Sequence, residues 1–588
     1  MQIQQPSLFL LCAATAAMLT TGARAQTLVR SVTGPAANAR YGKACIRITD
    51  QNGDGFKDLL VGAPGFNGER GAIYCLSGAY VALGGGTQTL WSVTPTTSQG
   101  DLFGYALAEI GDITGDGVKD FLVGEPGYDT PSLNDVGAVR LVNGATHAVG
   151  QHTHGVQQGC MLGSAIDSYD ATQVVVAAPG PNSAGSSFGI GPVAQFIAGG
   201  PMSFVVANGT AGVVELGASI AAVPDLNGDG HPEVVAGLPG LANNTGGVHM
   251  YFPFGTTPTL NYYSSIAGER LGASVDARHD YDGDGAVDIV VGAPNSPNVG
   301  TVNELGRVVV LSGAKLAAHT PPYEIYTFTT PPAFGTLASN FHFGAAVRAC
   351  EDLNGDGIGE ILVGAPDYTS NQFTGVGRGF VAIYSGATGA QLAKINGAQQ
   401  EHFGDSLAGA LQDLEGDGFK EFVVAGSLSD TGASDSGIVK CYRLFPLTPS
   451  TFCVGKVNSL GCTPAISFSG TPDATPGAPP FLITASSIIN QKSGILFYSH
   501  APTSIAFQGG LKCVAQPSKR TPQQNSGGSA SGADCTGAYS FDFNARIQSA
   551  VDPTLTAGAE VFAQYWSRDP LSATTTSLSD ALRFVINP

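Results

Sequence analysis

The sequence predicts an all-β protein, a seven-bladed β-propeller followed by a small C-terminal β-sandwich. Three observations predict it. One unit of short apolar runs recurs seven times. Glycine reaches 81 of 588 residues while charged residues make up only 12%, which suits many short strands joined by tight turns. No helical periodicity interrupts the runs.

Residues 1–25 read as an export signal. Leu8–Leu11 opens an apolar stretch that runs to Leu19, and Ala23-Arg24-Ala25 supplies a small–x–small cleavage pattern. The stretch is too short to span a bilayer, and no later segment approaches ~18 consecutive apolar residues. A secreted, extracellular or cell-surface chain is therefore expected after cleavage near Ala25.

The repeat occupies residues 26–447. Its fullest copy runs Phe343-Gly344, then Asp352–Gly357, then Glu360–Pro366, and closes with Gly379–Gly386. Related copies begin acidic loops at Asp50, Asp112, Asp225, Asp280 and Asp413. A degenerate copy keeps Leu162-Gly163 and Val174–Pro179 but has no acidic loop. Each unit holds four strand-like runs; the first copy is read as Leu28–Val32, Ala44–Ile48, Asp58–Val61 and Ala72–Leu76. A solenoid is the competing architecture, but units of about 60 residues without helices favour radial closure. The last unit ends at Val439–Leu444 without a fourth strand, so Leu28–Val32 is expected to complete it and close the ring.

The repeat is lost after about Leu447. In residues 448–588, Phe481–Ser487, Gly494–Tyr498, Leu511–Ala515, Tyr539–Phe543, Val561–Trp566 and Leu582–Ile586 read as the strands of a β-sandwich. Loss of Cys12 with the signal leaves nine cysteines. Export permits disulfides. The local pairs Cys453–Cys462 and Cys513–Cys535 are expected, with Cys160 free.

Six loops follow D-x-[D/N/T/E]-x-D-G-x-x-[D/E]. Calcium takes six to eight oxygens at loose geometry, and a tight loop supplies them from side chains at positions 1, 3, 5 and 9 and the carbonyl at position 7. The ligand sets are Asp50, Asn52, Asp54 and Asp58; Asp112, Thr114, Asp116 and Asp120; Asp225, Asn227, Asp229 and Glu233; Asp280, Asp282, Asp284 and Asp288; Asp352, Asn354, Asp356 and Glu360; and Asp413, Glu415, Asp417 and Glu421. The Asp112 and Asp413 loops are the weaker ones, because Thr114 or Glu415 stands at position 3. An EF-hand is excluded: position 12 is Val61, Val123, Ala236, Val291, Val363 or Val424, where that motif needs a glutamate. The loops hold twenty of the 46 carboxylates, so six Ca2+ ions, structural in role, would cancel most of the formal charge of −19. That charge also argues against a nucleic-acid partner.

Phe-Gly, acidic loop, Gly-Ala-Pro is an order that recurs along the repeat, as in Phe103-Gly104 with Gly124-Glu125-Pro126, Leu271-Gly272 with Gly292-Ala293-Pro294, and Phe343-Gly344 with Gly364-Ala365-Pro366. It resembles the FG-GAP repeat of the integrin α-subunit propeller. The resemblance implies a seven-bladed propeller with calcium on one face and binding loops on the other. The chain departs from integrins in offering more calcium loops, and in showing no inserted ligand-binding domain and no membrane span or cytoplasmic tail. It therefore looks like a bacterial-type secreted form. Its terminal segment, ending Thr576–Ala581, resembles a module of secreted bacterial repeat proteins with no assigned activity.

Adhesion or binding of an extracellular protein or glycan ligand is the expected function. The alternative is an extracellular hydrolase or lyase acting on polysaccharide or phospholipid from a propeller face. FG-GAP repeats also accompany a phospholipase D, whose catalytic domain is not seen here. No Ser-His-Asp set, zinc spacing or phosphate loop stands out. His152 and His154 lack an evident acidic partner or nucleophile. Tyr262, Tyr263 and Trp91 suit packing between blades better than a binding face. Asn208-Gly209-Thr210 and Asn243-Asn244-Thr245 match the glycosylation acceptor pattern.

Overall fold

A computed structural model describes residues 26–83, 88–96, 98–168, 173–179, 187–192, 200–201, 207–208, 215–226, 232–251, 260–297, 305–329, 341–354, 356–367, 377–410, 420–444, 449–556 and 559–586. The proposed signal lies outside them.

Between Gln26 and Leu444 the described strands form seven four-stranded antiparallel sheets, one of them extended by a short parallel fifth strand. Blade one contains Cys45–Ile48, Asp58–Gly62, Ile73–Leu76 and Thr89–Val93. Its fourth strand, carrying Trp91, is one that the four-run reading missed. That reading had placed Leu28–Val32 in the first unit; this segment instead forms the outer strand Gln26–Thr33 of the last blade, paired antiparallel with Ile438–Leu444. That pairing of the first strand with the last blade is the one expected to close the ring.

The innermost strands are Cys45–Ile48, Leu107–Glu109, Ala165–Ser168, Ile220–Val223, Ser274–Asp276, Ala346–Ala349 and Ser406–Ala410. Each neighbours the next, and the last returns to the first. This cyclic order makes the sheets the blades of a propeller. Carboxylates tie several adjacent inner strands together. Glu109 accepts from the Thr49 N–H at 2.7 Å, Asp167 from Ala222 at 3.0 Å, and Asp276 from Ala349 at 2.9 Å.

The Phe-Gly and Gly-Ala-Pro signals are two halves of one contact between blades. Phe103 is fully buried, and Gly104 follows at φ +92°, a conformation that L side chains rarely adopt. The Gly104 carbonyl then meets Gly62 of the preceding blade so closely that a Cβ on Gly62 would lie 1.9 Å from it. The same approach recurs between Gly163 and Gly124, Gly272 and Gly237, Gly344 and Gly292, and Gly404 and Gly364. The second strands are buried on both faces, as Asp58–Gly62 and Glu360–Ala365 illustrate. This explains their continuous rather than alternating apolar pattern.

Beyond Leu444, Ser450–Phe452, Thr576–Val585, Glu560–Arg568, Ser493–Ser499 and Lys519–Arg520 make one sheet, with Gln524–Asn525 also on Ser493–Ser499. Ala465–Ser469, Leu482–Ile488 and Gly537–Asp542 make a second. Ile483 and Tyr539 from one sheet and Leu496, Tyr565 and Phe584 from the other share a core. This is the expected sandwich. A two-stranded hairpin, Pro502–Phe507 with Gly510–Val514, is added to it. Tyr539–Phe543 was read as strand to its end, but Asp542 caps a short helix, Phe543–Gln548, by accepting the Ala545 N–H.

The disulfides correct the expected local pairing. Cys453 bonds Cys513 and Cys462 bonds Cys535. The segment from 453 to 462 runs beside Thr576–Val585, with the Lys456 N–H on the Leu578 carbonyl at 2.8 Å. Each sulfur therefore meets a different neighbour. Cys160 is free and buried, but so are Cys45, Cys75, Cys350 and Cys441. Among the described residues no helix is long and apolar enough to cross a membrane.

Candidate metal centres on the acidic loops

Each described acidic loop joins an innermost strand to the second strand of its blade, so these loops belong to one face. The described ones fold alike. Asp50 accepts the N–H groups of Asn52, Gly53 and Gly55 at 3.1, 2.7 and 2.7 Å. Asp112 accepts from Gly115, Asp116 and Gly117 at 2.6, 3.1 and 2.7 Å. Asp280 accepts from Gly283 and Gly285 at 2.7 and 2.8 Å, and Asp352 from Asn354 and Gly357 at 3.1 and 2.8 Å. Burial opposes ionisation of Asp50, but the Gly55, Gly53 and Asn52 N–H groups outweigh it and hold the carboxyl below its usual range.

Position 9 is buried at the start of the second strand or just before it. Asp58, Asp120 and Asp288 accept the position-2 N–H of their own loops from Gln51, Ile113 and Tyr281 at 2.7, 2.8 and 2.6 Å. Burial pushes the Asp288 carboxyl up to about 7, and Asp282 and Asp284 add to the rise against the Tyr281 and Gly313 N–H groups. Asp58 is raised for the same reasons, with Asp54 and Asp50 as its repelling neighbours. A divalent cation among these oxygens would reverse that repulsion.

Two clusters meet the distance requirement. Asp280, Asp282 and Asp288 each bring a carboxylate oxygen within 4.8 Å of the others, as do Asp352, Asp356 and Glu360. Oxygens at 2.3–2.6 Å on opposite sides of one calcium lie about 5 Å apart. Asp284 stands outside its cluster, accepting from Ala286 N–H at 3.0 Å and Ser312 Oγ at 3.2 Å. Asn52 and Asn354 donate to Asp54 and Asp356 at 2.8 and 2.9 Å. In the Asp112 loop, Asn143 Nδ2 donates to Asp116 Oδ2 at 2.5 Å and to Thr114 Oγ1 at 2.7 Å. Those oxygens are satisfied without a cation, which adds to the weakness of Thr114 as a ligand.

Asn227, Asp229, Asp413, Glu415 and Asp417 lie outside the described residues. Of their sets, Glu233 accepts from Leu226 N–H at 2.7 Å, and Glu421 pairs with Arg443 at 3.2 Å.

Sequence reasoning passed over the hairpin that closes each cradle. Gly78, Gly144 and Gly313 donate their N–H groups to Asp58, Asp120 and Asp288 at 2.9, 2.9 and 3.0 Å. A Cβ there would lie 2.0 Å from Lys57 O, 1.9 Å from Lys119 O and 2.0 Å from Val287 O, the position-8 carbonyls. Gly386 makes the same approach to Gly359. The preceding residue, Asn143 or Ser312, reaches position 5. The signal was present as a recurring pair: Ser77-Gly78, Asn143-Gly144, Ser312-Gly313 and Ser385-Gly386.

The other residues weighed for function are packed. The Trp91 ring stacks on His147 at 4.3 Å and tilts against Phe121 at 5.8 Å. Tyr262 donates to Glu324, and Tyr263 OH meets His249 Nε2 at 2.8 Å. His152 Nε2 meets Tyr128 OH at 3.1 Å, and burial, with Arg140 and His154 nearby, pulls its pKa down to about 4.

The FG-GAP repeat profile matches residues 48–76, 216–251, 271–311 and 343–384. These four stretches are FG-GAP repeats. The four matched units carry the loops that begin at Asp50, Asp225, Asp280 and Asp352. The two loops with Thr114 or Glu415 at position 3 lie outside the match. The FG-GAP region is integrin-α-like: the chain is 32% identical over 221 residues to Integrin alpha-PS2 of Drosophila melanogaster, covering 35% of this chain and 15% of that protein. It is 31% identical over 232 residues to Integrin alpha-V of Gallus gallus, 37% of this chain and 20% of the relative. Phosphatidylinositol-glycan-specific phospholipase D of Bos taurus is 25% identical over 469 residues, 67% of this chain and 54% of the enzyme. The chain thus spans between 15% and 54% of the length of these curated relatives.

Proposed function

We propose that the chain is an exported FG-GAP propeller that holds structural calcium on its acidic loops and acts by binding an extracellular protein or glycan. The observation that carries the reading is the shared cradle. Loops from separate blades fold the same way, and position 1 is fixed by backbone N–H groups. Carboxylates, backbone carbonyls and a hairpin close the site from several sides, whereas a catalytic metal keeps a position open for water or substrate. All six loops belong to the calcium sites in this reading, with those at Asp112 and Asp413 the weakest.

The test is calcium content and melting. Dialysed protein is expected to hold several calcium ions, about five or six for six oxygen-rich loops. Chelation is expected to lower its melting temperature. Asp284→Ala is expected to reduce the calcium-dependent part of that shift while leaving ligand binding intact wherever the fold is intact. One ion or none after dialysis against micromolar calcium overturns the metal reading.

A second reading rests on the phospholipase D relatives: an extracellular hydrolase or lyase acting on phospholipid or polysaccharide. It expects turnover that Asp284→Ala impairs without a change in melting. Assay of both proteins on a glycosylphosphatidylinositol substrate and on polysaccharides separates the two readings.

A further inference from the structure

The propeller axis holds a cavity of about 500 Å³ that the metal reading does not use. It opens among the carboxyl ends of the innermost strands, the ends that lead into the acidic loops. The expected ligand face lies at the opposite ends of those strands. In a chain of net charge −19, the described residues that line this cavity include Arg47, Arg278 and Arg348, with Glu351 the one carboxylate among them.

The arginines are held in place from beneath. Asp276 is buried, and its carboxylate accepts the backbone N–H groups of Ala277 and Ala349 at 3.1 and 2.9 Å. Arg278 Nε donates to it at 2.9 Å while Arg278 Nη2 lies 3.5 Å from Asp167, and Arg348 Nε approaches Asp276 at 3.5 Å. Asp276 is thus shared by two guanidinium groups, and Asp167 holds Arg278 from a second side. Arg47 is anchored to Glu351 at 2.7 Å. A guanidinium carries five N–H donors. Arg348 has Asp276 as its ion-pair partner, at a distance beyond a good hydrogen bond, so its outer donors face the cavity. The backbone makes room for it: the inner strand of the last blade is irregular between Leu407 and Gly409, and a Cβ on Gly409 would lie 3.2 Å from Arg348 Nε.

Paired planar guanidinium groups suit bidentate binding of an oxyanion. A volume of about 500 Å³ is within the range of small-molecule sites and takes one or two sugar rings. The rest of the wall mixes apolar residues, including Ala222, Pro224 and Ala408, with the polar Ser168 and His279. We propose that this axial cavity binds the carboxylate or sulfate group of an acidic sugar unit. The site needs neither the opposite face nor the acidic loops to be occupied, so it stands or falls apart from the metal reading.

The experiment is calorimetric titration of the full chain, in calcium, with tri-galacturonate, with a sulfated disaccharide and with neutral cellotriose. One acidic probe is expected to bind once per chain, and its identity separates carboxylate from sulfate recognition. Cellotriose is expected not to bind. Arg348→Gln and Arg47→Gln are each expected to weaken binding about tenfold or more, as loss of a charge-assisted hydrogen bond does. Arg348→Lys is expected to recover part of it. Melting curves identify any variant that fails to fold, and the second variant then carries the test. Equal affinity in folded variants, equal binding of cellotriose, displacement of the acidic probe by polyglutamate alone, or no binding of either acidic probe overturns the proposal.

Discussion

Gly313 donates its N–H to the buried Asp288 carboxylate at 3.0 Å, and a Cβ on that glycine would lie 2.0 Å from the Val287 carbonyl oxygen. The hairpin of blade five is thus pressed against its own acidic loop with no room between them. Gly313→Ala is expected to destabilise the protein by about 2 kcal/mol or more, because backbone must move to admit the methyl group. Ser312→Ala removes a hydrogen bond to Asp284 and the N-cap contact with the Lys315 N–H, and is expected to cost about 1 kcal/mol. Denaturant unfolding in chelator, which removes any metal contribution, measures both. Equal effects of the two substitutions would show that the close approach is not what the glycine provides.

The repeat made much of the fold legible. Gly104 and Gly62 are far apart in sequence yet form one contact, and that contact is why Phe-Gly and Gly-Ala-Pro travel together. The ring closure could be read because a lone strand at Leu28–Val32 and an incomplete blade at Val439–Leu444 require each other. What could not be read lies where partners come from distant segments. Asn143 and Ser312 act on loops some 27 residues before them, through a hairpin that carries no acidic signature. The cysteine pairing followed tertiary neighbours rather than spacing. In the C-terminal part, edge elements such as Ser450–Phe452 and Lys519–Arg520 are too short to leave a periodic signal.

The disulfides give a direct check. Non-reducing peptide mapping is expected to link Cys453 to Cys513 and Cys462 to Cys535, closing segments of 60 and 73 residues. Removing either link is expected to cost about 4 kcal/mol by the chain-entropy argument. The five propeller thiols are buried, and burial pushes Cys45 up to about 12. They are expected to resist a thiol reagent in the native state and to react in denaturant. Recovery of Cys453–Cys462 as the main species would contradict the arrangement of the two sheets.

Asp367 accepts from His342 Nδ1 at 2.6 Å and from His402 Nδ1 at 3.2 Å. Burial works against the Asp367 charge, but the two histidines hold its carboxyl well below the usual 3.8. Its hydrogen bond to Asp367 raises His402 above 6.5 despite burial. The His402 contribution is therefore complete below about pH 6.5 and is lost as pH rises through its raised pKa. The Asp367 contribution is complete above its ordinary range and is lost as pH falls toward its depressed value. Both are present near pH 5. The Asp367 side chain is 42% exposed, so screening keeps the effect to about 1 kcal/mol or less. Melting of wild type and Asp367→Asn is expected to differ most near pH 5 and to converge toward pH 8. A constant difference across that range would exclude the histidine coupling.

The repeat and the C-terminal sandwich are expected to behave as two units, residues 26–447 and 448–588. The physical ground is that their cores do not mix. The apolar cluster of Ile483, Leu496, Tyr539, Tyr565 and Phe584 draws only on residues after Ser450, whereas that of Tyr41, Leu59, Val61, Val423 and Val439 draws only on the propeller. Both disulfides also fall within the second unit. Units with separate cores unfold separately, and cleavage concentrates in connections that few contacts cross. Limited proteolysis near Leu447–Ser450, where Pro446 and Pro449 flank the junction, is expected to release a stable fragment of roughly 140 residues. Calorimetry is expected to resolve two transitions. Chelation should lower only the one that disappears when the repeat is removed, because all six acidic loops belong to it, and reductant should lower the other. A single transition that responds to both treatments, or cleavage within the blades while the junction stays intact, would mean that the two cores support each other.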